Sequence, residues 1–290
     1  MRTTLKSTLK TTLFFAALLP AAFAQPLYNT AKQKLLEGKQ VFSFTWSKFD
    51  IPGYCEAAKH FDYAWFEMQH STLEFKDIEA MIAACPRAGA TPMIRLPDAQ
   101  EWHIQHATDI GALGIVVPTV DDVDRAREAA KWARYPPVAR RSSGAGQARS
   151  IWGINGINYA KTINDNMLVV VMIETPTGVA NAYDIASVPG VDVVIIGNND
   201  LSVFSGFAQD DDRYQAMVKK IHDDTKRAGK IFGQANAIYY KGHPLSSDSF
   251  FFQNGPSKDG WKLPSVTNAT APPPGEEEGP AKKVKKNFLN

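Results

Sequence analysis

Two nearly unbroken apolar runs, each closed by a carboxylate, constrain the fold of this chain most. Residues 167–174 read MLVVVMIE and residues 191–200 read VDVVIIGNND, so Glu174 and Asp200 end the two runs. Strands without polar alternation are typical of parallel sheets that helices cover on both faces. Barrels of alternating strands and helices form their active sites at the carboxyl ends of the strands. Two acids at such ends predict a metal site.

Strand-like and helix-like segments alternate through the middle of the chain. Seven or eight parallel strands with short connections indicate an α/β fold closed into a (β/α)8 barrel, the TIM barrel. A doubly wound sheet is the alternative, but no glycine-rich phosphate loop follows the first strand. The predicted strands are residues 41–45, 63–67, 92–95, 114–117, 167–174, 191–200, 230–234 and 250–253. The predicted helices are residues 30–37, 51–60, 75–84, 100–110, 120–132, 157–163, 179–185 and 212–228, with a loop at 140–149.

Both ends of the 290-residue chain are predicted to lie outside a single barrel domain, residues 25–264. Basic residues precede an apolar stretch at 13–23 that runs into Ala-Phe-Ala, the pattern of a secretory signal peptide cleaved after Ala24. The stretch is too short to span a membrane. Residues 265–290 are rich in Pro, Glu, Gly and Lys, which predicts a disordered tail. We therefore expect a secreted or periplasmic protein.

Charge and cysteine content further limit the classes of protein to which this chain can belong. The formal net charge is +2, and basic residues do not cluster on one predicted helix, so no nucleic-acid partner is expected. The two cysteines, Cys55 and Cys85, are too few for a metal or disulfide framework. We expect both to be buried thiols, with a single disulfide between them as the alternative.

Polar residues end or follow four of the predicted strands. His70 follows the strand 63–67, Arg95 ends the strand 92–95, and Glu174 and Asp200 complete the set. In a barrel all four project into one mouth. A base, a fixed cation and two acids at one mouth predict an active site.

Several segments resemble the HpcH/HpaI class II pyruvate aldolase family, to which macrophomate synthase and the citrate lyase beta barrels are related. They are FEMQHS, PMIRLP, GALGIVVPTVDD, ARYPP, VVMIETPTGVAN and IIGNNDLS, in the family's order with compatible spacing over residues 41–235. The resemblance implies a metal-dependent barrel that cleaves 4-hydroxy-2-oxoacids, such as 4-hydroxy-2-oxoheptanedioate, to pyruvate and an aldehyde. It also implies a homo-oligomer, a hexamer built as a trimer of dimers.

The resemblance assigns roles to the strand-end residues. Glu174 and Asp200 match the metal-ligating acids, Arg95 matches the arginine that holds the pyruvate carboxylate and enolate oxygen, and His70 matches the histidine of the acid/base dyad. Two carboxylates without Cys or His suit a hard ion, Mg²⁺ or Mn²⁺, with Co²⁺ as a further option. The 2-oxoacid chelates such an ion, which acts as a Lewis acid, while His70 removes the 4-hydroxyl proton.

The chain departs from the family pattern near the base. The usual D-x-E-H reads Glu67-Met68-Gln69-His70, so Glu67 is expected to pair with His70 through a side chain one methylene longer. Gln69 removes a charge beside the base. Met172 stands where relatives often have Gln.

Three further residues are candidates for substrate binding. Ser142 and Gly144 lie where relatives place a Gly/Arg-rich active-site loop, with a simple turn as the alternative, and Asn199 precedes the acid Asp200.

Two other functions stay open. A citrate-lyase or malyl-CoA-lyase type of enzyme would need a CoA site, and none is evident in the sequence. A secreted 2-oxoacid-binding protein with little turnover would keep the barrel without the chemistry.

Overall fold

The computed structural model describes residues 27–144, 146–154, 156–236 and 245–263. The predicted signal peptide at 1–24 and the predicted tail at 265–290 lie outside the described residues. No helix within the described ranges combines the length and the apolar character that a membrane crossing requires.

Eight parallel strands close into a barrel in sequence order, which confirms the predicted fold class. The first and last strands pair directly, with Val41 opposite Phe251. The strands are β1 Val41–Trp46, β2 Tyr63–Glu67, β3 Thr91–Arg95, β4 Gly114–Val117, β5 Leu168–Ile173, β6 Val193–Ile196, β7 Ile231–Asn236 and β8 Phe251–Asn254.

The unbroken apolar character of β5 follows from burial on both of its faces. Leu168, Val170 and Met172 belong to the cluster that fills the barrel interior. Val169 and Val171 belong to the larger cluster between the strands and the helices. Side chains alternate between these two layers every second residue, so neither face has room for unpaired polar groups.

Helices cover the outside of the barrel, and a short one closes its amino end. They are α1 Thr30–Leu36, α2 Ile51–Ala57, α3 Phe75–Ala84, α4 Glu101–Asp109, α5 Val123–Ala133, α6 Gly146–Trp152, α7 Tyr159–Asn166, α8 Pro176–Ala180, α9 Ala182–Ala186, α10 Asn198–Ser205 and α11 Asp212–Arg227. Single 3-10 turns lie at Gly156–Asn158 and Ser246–Asp248. Ala31 and Leu35 of α1 pack into the interior cluster and close the barrel at its amino end.

Predicted and observed elements differ at several boundaries, and the helix predicted at 179–185 is two short helices, α8 and α9. The strand predicted at 191–200 ends at Ile196, and Asp200 lies in the first turn of α10, because the chain turns at Gly197 into a helix. The helix predicted at 120–132 starts at Val123, where the Asp122 side chain caps it by accepting a hydrogen bond from the Arg125 backbone N–H. Part of the loop predicted at 140–149 is helical, since α6 begins at residue 146.

The two cysteines form a disulfide, so the prediction of buried thiols is wrong and the alternative is right. Cys55 lies in α2 and Cys85 at the C-cap of α3, with their Cα atoms 5.7 Å apart. These helices flank β2 and pack on each other. Both cysteines lie near the carboxyl ends of their helices, at the same height on the barrel. The number of residues between the two cysteines does not show that they lie at the same height.

Candidate active site

A pocket of about 780 Å³ opens at the carboxyl ends of the strands. Because inward positions repeat every two residues, the interior residue Met172 places the next inward position at Glu174. The structure brings five of the sequence-predicted residues to this pocket: His70, Arg95, Glu174, Asn199 and Asp200. Its remaining lining residues are Met172, Gly197, Asn198, Gln209, Ala235, Asn236, Gln253 and Asn254.

Glu174 is a buried carboxylate with one oxygen bound and the other without a partner. Its side chain is 1% exposed. Oε1 accepts two hydrogen bonds from Thr119, one from the backbone N–H at 2.7 Å and one from Oγ1 at 2.9 Å. Oε2 is buried and has no hydrogen-bond partner among the residues that the structure describes. Burial raises the pKa of Glu174, the Thr119 hydrogen bonds oppose that shift, and the charge of nearby Asp200 adds to it.

Thr119 holds an unusual backbone conformation to make these contacts. It follows β4, and its φ of 51° lies in the left-handed region, where β-branched residues are rare. The next residue is held in place, because Val120 donates its N–H to the carbonyl of Met172 at 2.9 Å. Backbone strain of this kind persists only where neighbouring contacts enforce it. Sequence reasoning missed Thr119, since its role depends on the conformation and not on the residue type.

Arg95 is fixed by a buried carboxylate and an indole. Its Nε donates to Glu67 Oε2 at 2.5 Å, and its guanidinium lies 5.7 Å from the centre of the Trp65 ring. One of its terminal nitrogens approaches the Met172 sulfur at 3.9 Å. The side chain is 12% exposed and lines the pocket. The terminal nitrogens therefore remain available to bind a carboxylate in the bidentate way that suits guanidinium.

Glu67 does not pair with the His70 side chain, which corrects the expected acid/base dyad. Its Oε1 accepts from the backbone N–H groups of Gln69 at 2.8 Å and His70 at 3.0 Å. Its Oε2 accepts from Trp65 Nε1 at 3.0 Å and from Arg95. Both oxygens are thus occupied by other donors, and the longer Glu side chain reaches the loop backbone. Glu67 shapes the loop and holds Arg95, while the exposed imidazole of His70 lines the pocket.

The opposite wall of the pocket consists of amides that the sequence reasoning missed. Asn236 ends β7, and Gln253 and Asn254 end β8. On β1, Thr45 Oγ1 donates to Asn254 Oδ1 at 2.9 Å and lies 3.3 Å from Gln253 Nε2, which donates to it. The signal was the same strand-end position that revealed the charged residues. A neutral amide at a strand end does not by itself indicate an active site, whereas a charged residue does.

Comparison with known proteins decides the family. The sequence profile described as HpcH/HpaI aldolase/citrate lyase matches residues 52–236, more than half of the 290-residue chain. The chain belongs to this family. A relative, the hydroxypyruvate/pyruvate aldolase of Roseovarius nubinhibens, is 31% identical over 212 residues, which cover 72% of this chain and 81% of the relative. The protein is therefore an enzyme of the aldolase class, a carbon–carbon lyase.

Solved structures of HpcH/HpaI aldolases share the barrel. The HpcH/HpaI aldolase of Desulfitobacterium hafniense superposes with a TM-score of 0.69 at 26% identity, covering 76% of this chain and 88% of that one. A citrate lyase beta subunit from M. tuberculosis, complexed with oxaloacetate and magnesium, has a TM-score of 0.51 at 11% identity, covering 75% and 92%. The second likeness concerns the fold alone.

The acids of this HpcH/HpaI aldolase fit a divalent cation. Glu174 directs an unpartnered buried oxygen into a site where Asp200 adds a second negative charge, an arrangement that a cation would stabilise. The described residues contain no group of three or more His, Cys, Asp or Glu side chains that could hold a metal ion. Two carboxylates suit Mg²⁺, which usually keeps several waters and binds substrate oxygens. Glu174 and Asp200 are therefore the residues that would hold the ion.

Ser142 and Gly144, predicted either to contact substrate or to form a simple turn, are not among the residues that line this pocket. A Cβ on Gly144 would lie 2.7 Å from Asp109 Oδ2, and the neighbouring Arg141 pairs with Asp109 at 2.5 Å. Asp109 ends α4, whose carboxyl end lies at the amino end of the barrel, opposite the pocket. A strand-to-strand connection runs over both ends of a barrel, and loop composition does not indicate which end a given glycine occupies.

Proposed function

We propose that this aldolase cleaves and forms 4-hydroxy-2-oxoacids through the enolate of pyruvate. The observation that carries the proposal is the buried, unpartnered Oε2 of Glu174 in the same pocket as Arg95 and Asp200. A 2-oxoacid presents a carboxylate and a keto oxygen side by side. One guanidinium and one cation site in a single pocket match those two oxygens.

Arg95 binds and orients the oxoacid in this proposal. Its position is set before substrate arrives, by Glu67 and Trp65. The fixed positive charge stabilises the oxygen on which negative charge develops as the enolate forms. Glu174 and Asp200 would hold a divalent ion in this pocket, and such an ion would supply Lewis-acid polarisation of the keto group.

His70 moves the proton. During cleavage its imidazole takes the proton of the 4-hydroxyl group, directly or through water, as the bond between C3 and C4 breaks. During synthesis it returns that proton to the aldehyde oxygen. Its ring is exposed in the pocket and has no hydrogen-bond partner among the described residues, so it is accessible to solvent and substrate.

Proton exchange at the methyl group of pyruvate tests this function without an aldehyde. Purified protein with Mg²⁺ or Mn²⁺ is expected to exchange these protons for deuterium, followed by NMR. Chelation and Glu174→Gln should both abolish the exchange. Exchange that persists at the wild-type rate in Glu174→Gln would remove the metal site from the proposal, and no exchange in the metal-loaded wild type would refute enolate formation.

We also propose that the enzyme works outside the cytoplasm. The signal-peptide pattern before Gln25 supports this, and so does the Cys55–Cys85 disulfide, because disulfides persist mainly in oxidising compartments. The mature chain is expected to begin at Gln25. Intact mass measurement of exported protein tests this, and a mass that still includes residues 1–24 would contradict it.

A homo-oligomer, specifically a hexamer, is proposed as the working form. Val203 and Phe204 on α10 support an interface, since they are 75% and 60% exposed beside the pocket. Exposed apolar patches often mark contacts between proteins. Light scattering coupled to gel filtration measures the mass directly, and a stable monomer at micromolar concentration would contradict the proposal.

A further inference from the structure

The segment between α5 and β5 carries a cluster of polar side chains that the proposed chemistry does not use. We call this set the Arg–Tyr cluster, and its members are Tyr135, Arg141, Arg149 and Tyr159. Arg141 Nη2 donates to Oδ1 of Asp109, the last residue of α4, at 2.5 Å. Because α4 ends at the amino end of the barrel, this pair lies opposite the active-site pocket, and none of the four side chains lines that pocket. The cluster therefore has a role other than aldol chemistry.

The four side chains form one continuous group. The guanidinium of Arg141 lies over the ring of Tyr135, 4.5 Å from its centre. The guanidinium of Arg149 lies over the ring of Tyr159 at 4.4 Å. The two rings meet edge to face, with their centres 5.8 Å apart. The attraction between a cation and a ring face is electrostatic and does not satisfy the hydrogen-bonding groups of either residue.

Those hydrogen-bonding groups are buried and have no partner in the part of the chain that the structure describes. The side chain of Arg141 is 0% exposed, yet its Nε and Nη1 make no hydrogen bond with any described residue. The same holds for Nε of Arg149 and for the hydroxyl groups of Tyr135 and Tyr159. Buried polar groups in folded proteins nearly always have a partner. Several such atoms in one cluster therefore indicate a bound group that they share.

The charge of the cluster favours an anion. The charges that act on the two phenols are those of Arg141, Arg149 and Asp109, so two cations face one carboxylate. Burying an uncompensated charge is costly. Burial also raises the pKa of both phenols, which therefore stay protonated and can donate. A water molecule would have to donate its own hydrogens, which guanidinium nitrogens cannot accept, whereas an anion only accepts.

We propose that the Arg–Tyr cluster binds a single halide ion, with chloride as the abundant member of that class. Nε and Nη1 of Arg141 and the hydroxyl groups of Tyr135 and Tyr159 are its donors. The burial of these groups selects a small ion, because a phosphate or a carboxylic acid would force the rings apart. The ion balances the second guanidinium and ties the segment between α5 and β5 to the end of α4.

Melting temperatures in matched salts test the proposal. The purified protein is melted in sodium chloride and in sodium gluconate at the same pH and ionic strength, because gluconate is too large for a buried site of this kind. A ligand that binds only the folded protein raises its melting temperature. We expect the protein to melt at least about 2 °C higher in chloride, a shift of the size that one bound ligand gives in a domain of this length.

Variants separate the site from general effects of salt. Tyr135→Phe and Tyr159→Phe each remove one hydroxyl group and keep the ring that contacts the guanidinium. In both variants the difference between the chloride and gluconate melting temperatures should shrink. The difference is taken within each variant, so a general loss of stability does not affect it. Tyr183→Phe is the matched control, since the guanidinium of Arg227 lies over the exposed ring of Tyr183 at 3.9 Å, and this variant should keep the full difference.

Crystals of the wild-type protein soaked in sodium bromide locate the ion directly. The anomalous signal of bromide is expected beside Nε and Nη1 of Arg141, next to the two phenols. Equal melting temperatures in chloride and gluconate would overturn the proposal, and so would a difference that both phenylalanine variants retain in full. A soaked crystal that shows only an ordered water at this position would also overturn it. If the variants do not fold, the wild-type melts and the crystal still decide.

Discussion

Thr119→Ala is the substitution that most directly tests how the metal site is held. It removes the hydrogen bond from Oγ1 to Glu174 Oε1 at 2.9 Å and keeps the backbone hydrogen bond at 2.7 Å. A hydrogen bond to a charged group contributes about 1.5–3 kcal/mol. Residues that orient a metal ligand typically change metal affinity about 10- to 100-fold when mutated. The two ranges agree, since a tenfold change corresponds to about 1.4 kcal/mol.

Two companion variants separate the hydrogen bond from the backbone conformation. Thr119→Ser keeps the hydroxyl group and is expected to bind metal nearly as the wild type does. Thr119→Gly loses the hydroxyl group but adopts the φ of 51° without strain, which favours glycine over alanine by roughly 1–2 kcal/mol. We therefore expect Thr119→Gly to bind metal as weakly as Thr119→Ala while melting at a higher temperature in the metal-free form.

Calorimetric titration with Mn²⁺ and thermal melts of the metal-free protein measure the two effects independently of turnover. Thr162→Ala in α7, far from the pocket, is the matched control and should bind metal normally. Wild-type Mn²⁺ affinity in Thr119→Ala would refute the argument that Thr119 orients Glu174. Equal melting temperatures for the alanine and glycine variants would refute the argument from backbone strain.

Three further predictions concern other parts of the molecule. His70→Ala should reduce aldol cleavage by roughly 10²–10⁴-fold and leave pyruvate affinity, measured by titration, nearly intact; cleavage at the parental rate would exclude His70 as the base. Reducing the disulfide between α2 and α3, which closes a loop of 30 residues, should destabilise the protein by about 3–4 kcal/mol and lower its melting temperature, and an unchanged melt would contradict this. The hydrogen bond that the His60 imidazole donates to the Asp259 carboxylate raises the pKa of His60 above 6.5, so the pairing of the two is complete below pH 6.5 and is lost as the pH rises through the raised value. Fluorescence of Trp261, whose ring stacks on His60 at 4.6 Å, should change over that range in the wild type and stay constant in His60→Gln.

The charged residues of the site could be predicted from the sequence, because their positions follow from the pattern of neighbouring residues along the chain. Arg95 and Glu174 stand at inward positions where apolar strands end, and a period of two residues locates them without knowledge of the fold. The sequence also places Asp200 at the mouth, although Asp200 lies in the first turn of a helix and does not end a strand.

The remaining features depend on contacts between distant segments. The conformation of Thr119 is set by its neighbours on β5, and the acceptors of Glu67 were taken up by an indole, a guanidinium and two backbone groups. The sequence does not reveal that Gly144 lies against Asp109, because a long connection passes over both ends of the barrel. These outcomes follow from packing, which the order of residues along the chain specifies only through the complete fold.

The contacts of Glu67 and Trp65 with Arg95 affect the entropy and kinetics of ligand binding. A free arginine samples many rotamers, and immobilising such a side chain on binding costs about 0.5–1.5 kcal/mol. Here Glu67 and Trp65 have already restricted the guanidinium during folding. Association of a 2-oxoacid should therefore occur in a single kinetic phase, with little loss of side-chain entropy on the protein side. In Glu67→Gln, Arg95 would be held less tightly, so its side chain would lose this entropy when the ligand binds and not during folding.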